Sequence, residues 1–100
     1  MATHTVTAGD LGAHNITLVA ATVETTTFSE DLDEVTIVSL DGAAALYITV
    51  DGRTPTVGGA NTRVMPAAIG TITLEVPTAG SSVVKVISSG TPTISIQRGR

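Results

Sequence analysis

The residues able to do acid–base, nucleophilic or metal chemistry are few and badly spaced. His4 and His14 stand ten positions apart, and neither has the His, Asp or Glu neighbours at short intervals that zinc sites use. The densest carboxylate run, Glu30-Asp31-Leu32-Asp33-Glu34, offers the hard oxygens that calcium takes. It lacks the sixth-position glycine and twelfth-position glutamate of an EF-hand loop, so it reads as a solvated acidic turn. Hydroxyls abound, yet acyl transfer needs a base held against the nucleophile, and no Gly-x-Ser-x-Gly turn occurs. Gly58-Gly59 has no Gly-Lys-Ser/Thr ending and no helix behind it, so it cannot cradle a phosphate. Cysteine is absent, which removes disulfides, thiolate metal sites and thiol catalysis together. No catalytic residue, metal ligand or cofactor is therefore assigned, and the expected class is non-enzymatic.

Composition narrows the partner. With 100 residues, 42% of them apolar and only 14% charged, the chain is sized for one packed domain. Phe28 and Tyr47 are its only aromatics, so Val, Ile, Leu and Ala must fill the core while Thr supplies outward strand positions. Five basic residues and two aromatics are too few for a phosphate-binding stripe or a base-stacking platform, which excludes nucleic acid. Glycan binding would have Tyr47 alone to stack on. No apolar run approaches the roughly 18 residues a bilayer span needs. Met1 to Thr7 has neither a basic nor an apolar signal region, so a product made in the cytoplasm is expected. Without a secretory route, the acceptor pattern Asn15-Ile16-Thr17 is incidental. Another protein surface is the partner that remains.

Charge is unevenly placed along the chain. Residues 1–52 hold eight carboxylates and no Lys or Arg, a charge of −8; residues 53–100 hold five basic residues against Glu75, a charge of +4, and the sum is −4. A sandwich that interleaves the two halves would cancel the asymmetry within one fold. The sharper alternative sets an acidic patch of one subunit against a basic patch of its neighbour.

The elements that must position these residues are strands. Val35 and Ile37, then Leu46, Ile48 and Val50, alternate with polar residues at the period of two that a half-buried strand requires. Asp41-Gly42 between them predicts a central hairpin, closed off by Asp51-Gly52 and Pro55. Ile16, Leu18 and Ala20 alternate until a phase change at Ala20-Ala21 predicts a bulge or break. Ile72, Leu74 and Val76 alternate cleanly, residues 82–88 read as a central strand apolar on both faces, and Ile94 and Ile96 complete a second hairpin with it. No stretch reads as a helix. The predicted fold is all-β, an antiparallel β-sandwich of seven or eight short strands, Ig-like or jelly-roll-like. Residues 1–12 form an N-terminal arm or edge strand and residues 13–100 a single sandwich domain.

Three runs carry a resemblance: Glu34 to Val38 with Asp41-Gly42, Leu46 to Gly52 with Thr54 to Gly58, and Val83 to Thr93. Across residues 34–97 the chain resembles small β-sandwich virion structural proteins of tailed bacteriophages, of the capsid decoration type. The resemblance implies a non-enzymatic cement protein on the capsid exterior, partnered by the major capsid protein or other virion subunits, and homo-oligomeric, with a trimer one form. A head-to-tail connector or tail protein is the alternative, and a host-surface adhesion module the second. On this reading Thr3, His4, Thr5, Val6 and Leu11 of the arm would add along a neighbour, while Arg53, Thr56, Val57 and Asn61 of the long loop would touch the shell.

Overall fold

The computed structural model describes residues 3–7, 10–29, 34–40, 44–59, 62–67, 70–76 and 83–98. These contain nine strands and no helix: β1 Thr3–Val6, β2 Gly12–Thr17, β3 Glu24–Phe28, β4 Glu34–Ser39, β5 Leu46–Thr49, β6 Arg63–Met65, β7 Thr71–Glu75, β8 Val83–Ile87 and β9 Thr93–Arg98. They form a five-stranded sheet ordered β1-β3-β8-β5-β6 and a four-stranded sheet ordered β2-β9-β4-β7. The all-β sandwich is as composition and alternation predict, with nine strands in place of seven or eight. All pairs are antiparallel except β1 with β3, which run parallel.

Alternation decides which residues face inward. Val35 and Ile37 of β4, Ile94 and Ile96 of β9, Ile16 of β2 and Leu74 of β7 line one sheet's inner face. Val6, Phe28, Val84, Val86, Leu46, Ile48 and Met65 line the other, and the two faces close into one aliphatic core. At about 25 cal/mol per Å² of apolar surface removed from water, this burial is the main term holding a chain without disulfides together.

Both expected hairpins are corrected. β4 and β5 lie in different sheets, as do β8 and β9. The alternation fixes the face each strand presents, but not its partner. β4 and β5 each turn their apolar side to the shared core from opposite layers, and the Asp41-Gly42 of the expected turn lies outside the described residues. Among the described residues, β5 and β6 are the consecutive strands that pair. Strands from the two halves of the sequence therefore alternate through the four-stranded sheet, and in the five-stranded sheet β8 lies between β3 and β5 while β1 and β3, both from the first half, are neighbours. The strand of residues 82–88 does take a central place, with β3 and β5 on either side.

The phase change at Ala20-Ala21 is a turn, with Ala21 at φ 55°. The bulge sits earlier, in β2. Ala13 pairs with Ile96 and Ile16 with Ile94, so His14 and Asn15 together oppose Ser95. Asn15 takes φ 58°, the left-handed region that Asn tolerates better than most residues. At Gly12, where β2 begins, a Cβ would run into the Ile96 carbonyl oxygen, so the close approach of β2 to β9 requires glycine there.

Candidate functional site

The two outer faces differ in chemistry. On the four-stranded sheet, hydroxyls pair with one another: Thr17 with Thr93 at 3.1 Å and Thr36 with Thr73 at 3.0 Å. On the five-stranded sheet, Tyr47 points outward between Leu46 and Ile48, which are fully buried. Its cross-strand partners are Val64 on β6 and Ile87 on β8, so three apolar side chains form one row across three strands. Val64 is 47% exposed and Ile87 only 7%, so Ile87 is the floor of the row and Val64 its open end. The next row is polar, with Thr49 and Thr25 flanking Lys85, whose ammonium reaches the Gly52 carbonyl at 3.3 Å. Thr49 is itself 3% exposed, so Thr25 and Lys85 supply the accessible polar margin on that side of the row, and an aromatic-centred apolar row with a polar margin is the kind of surface that binds proteins.

A second cluster lies inside. Glu24 and Thr26 of β3 share the inner face with Val84 and Val86, and His4 of β1 stands opposite Thr26. His4 Nε2 is 3.7 Å from Glu24 Oε1. The Glu24 side chain is almost wholly buried, and His4 Nε2 and Thr26 Oγ1 are buried without a hydrogen-bond partner among the described residues. Such groups carry a desolvation cost.

One hydroxyl–imidazole pair exists. His14 Nδ1 is 2.7 Å from Ser95 Oγ, and Gln97 Nε2 donates to the same oxygen at 3.1 Å. The pair has the reach of a nucleophile and base, but Ser95 is only 4% exposed. Its geometry secures the β2 bulge to β9. Among the described residues no group of three or more His, Asp or Glu is placed to hold a metal ion.

The residues expected to contact a partner do not converge. Thr3 and Thr5 are exposed and His4 is half-buried on β1, while Leu11 is 74% exposed before β2. Val6 is corrected to a core residue, 3% exposed, because its parity on β1 sets it beside Phe28 inside the sandwich. Arg53, Thr56 and Val57 are exposed in the connection between β5 and β6. Arg53 is tied to its own turn, with its guanidinium 3.4 Å from Asp51 and its carbonyl accepting the Thr49 hydroxyl. The Thr56 carbonyl accepts the Gly59 amide. Asn61 lies outside the described residues. β1 and the β5–β6 connection belong to opposite edges of the five-stranded sheet, four strand spacings or about 19 Å apart. The two groups therefore stand at opposite edges of that sheet. Tyr47, outside the residues expected to contact a partner, is an aromatic at the polar parity of its strand, a pattern visible in the sequence.

Neither a protein-family model nor a curated protein matches the chain. Among solved structures, it is similar to PliG of Aeromonas hydrophila, a periplasmic inhibitor of g-type lysozyme, with a TM-score of 0.50, 16% identity, and 97% of this chain and 98% of that one covered. A family two carbohydrate esterase from Cellvibrio japonicus gives a TM-score of 0.41 at 14% identity, with 91% of this chain matched to 30% of that one. At such identities the likeness to PliG is one of fold. The expectation of a phage capsid decoration protein, with its connector, tail and adhesion alternatives, gives way here, because a structure similar over the whole chain is a bacterial periplasmic inhibitor. The physical reason is visible in the motifs that carried the resemblance. Val35, Ile37, Ile48, Val84 and Val86 are core positions, which any sandwich needs and which specify no role.

Proposed function

We propose that this chain is a non-catalytic binding domain that docks another protein on the outer face of its five-stranded sheet. The observation that carries the reading is the row Val64–Tyr47–Ile87, apolar and outward-facing, with Thr25, Thr49 and Lys85 beside it. Tyrosine brings a large contact area with two side-chain torsions to immobilise, which is why it recurs as an anchor at interfaces. Ser95 supports binding over turnover, because its hydroxyl is covered and already bonded by His14 and Gln97. The fold shared with PliG suggests a lysozyme as the class of partner.

The test is titration of the purified chain into a g-type lysozyme lysing a cell-wall suspension. Loss of lysis that reaches a stoichiometric end point, weakened at least tenfold by Tyr47→Ala, is the expected result. Undiminished lysis at large excess of folded chain overturns the lysozyme class. Turnover of an activated ester that vanishes in Ser95→Ala overturns the non-catalytic reading.

A further inference from the structure

We infer that β7 is a pairing edge for a second copy of this chain, joining two four-stranded sheets into one continuous sheet. Two open sheets have four edge strands, and folded proteins blunt such edges against unwanted pairing. Three of the four are blunted here. β2 is broken by the bulge at His14 and Asn15. β6 has three residues, with Arg63 at its start and Pro66 directly after its end. β1 has four residues and packs beside β2. β7 has none of these devices. Its five residues, Thr71 to Glu75, pair with β4 in unbroken register, and it contains no proline, lysine or arginine. Among the described residues nothing pairs with its outer side.

The order of side chains along β7 selects the occupant. Antiparallel pairing of two copies about Thr73 sets Thr73 against Thr73, Ile72 against Leu74, and Thr71 against Glu75. Inward residues then meet inward residues, and outward residues meet outward ones. Ile72, which is partly buried against the core, gains an apolar neighbour. Glu75 already faces Glu34 across β4, an unfavourable pairing of like charges. Thr71 of the second copy brings a hydroxyl donor to that carboxylate. A register displaced by two residues keeps three of the five pairs. The arrangement is two-fold and closed, so it ends at a dimer.

Cysteine placement tests it directly, since the chain has no thiol of its own. Across the two-fold axis the Thr73 Cα atoms would be about 4.5–5.5 Å apart, within disulfide reach. The two Thr71 positions would be about 14 Å apart along the strands. Under a mild oxidant, Thr73→Cys is expected to form a disulfide dimer at least tenfold faster than Thr71→Cys. Sedimentation should show the parent dimerising with concentration, and folded Thr73→Lys, with like charges opposed, remaining monomeric. Equal cross-linking of the two cysteine variants overturns the inference, as does a parent that stays monomeric up to about 1 mM, where the affinity would be negligible. Tyr47→Ala, on the other sheet, should leave dimerisation unchanged, so loss of the lysozyme reading does not touch this one.

Discussion

His4 Nε2 stands 3.7 Å from Glu24 Oε1 on the inner face of the five-stranded sheet, and this contact joins the edge strand β1 to β3. β1 is short and brings one core side chain, Val6, so polar contact makes up a larger share of what holds it than it does for central strands.

The two residues should therefore be energetically coupled. In a double-mutant cycle of His4→Ala and Glu24→Ala, a coupling energy above about 0.5 kcal/mol is expected. Glu24→Ala alone should cost about 1–3 kcal/mol by removing a buried hydrogen-bonding group. Urea unfolding of the four proteins measures both. Strict additivity would mean that His4 and Glu24 are held by other groups and that their proximity is incidental.

Thr26 gives the opposite sign. Its side chain is fully buried and its Oγ1 has no hydrogen-bond partner among the described residues. Valine has nearly the same shape without the hydroxyl, so Thr26→Val should stabilise the fold by about 1 kcal/mol. For a domain of this size that is a rise in Tm of about 4–8 °C. A fall in Tm would show that a water or ligand satisfies the hydroxyl in solution.

Faces were legible in the sequence where partners were not. The parity of Val35, Ile37, Leu46, Ile48, Ile94 and Ile96 gave their burial directly, because side chains alternate along a strand whatever lies beside it. Pairing depends on contacts between residues distant in sequence. A turn signal between two strands marks a reversal of the chain without saying whether it joins neighbours in one sheet or strands of two layers, and β4 and β5 lie in different layers. The interior polar trio was hidden for the same reason. His4 and Glu24 are twenty positions apart and meet only because β1 runs parallel to β3. Parity alone set Tyr47 on the outer face, but its row with Val64 and Ile87 needed the order β6-β5-β8, which no local pattern encodes.

Gly12 tests the approach of β2 to β9. Because a Cβ there meets backbone, the Ile96 carbonyl oxygen, no side-chain rotation can relieve the clash. Gly12→Ala should destabilise by about 1–3 kcal/mol, the usual range for overpacking. The Ser95–His14 bond lies just beyond this point, so the His14 side-chain resonances should also shift in nuclear magnetic resonance spectra. Full retention of stability would mean that β2 can move away from β9 at little cost.

Ala21 and Asn15 share a left-handed backbone, with φ of 55° and 58°, and differ in how well their side chains suit it. Asn accepts this region readily, whereas for alanine the crowding of Cβ against the following carbonyl costs about 1–2 kcal/mol. Ala21 is held there by the turn, its amide donating to the Ser88 carbonyl at 2.8 Å while the Thr22 amide bonds back to Val19 at 3.1 Å. Glycine at position 21 removes the crowding but adds freedom to the unfolded chain worth about 0.4–1 kcal/mol. The first effect is the larger, so Ala21→Gly should stabilise by about 0.5–1 kcal/mol, visible as a higher urea midpoint at unchanged slope. Asn15→Val, a β-branched residue in the same conformation, should lose stability. If Ala21→Gly lowers the midpoint, the turn does not hold residue 21 in the left-handed region in solution.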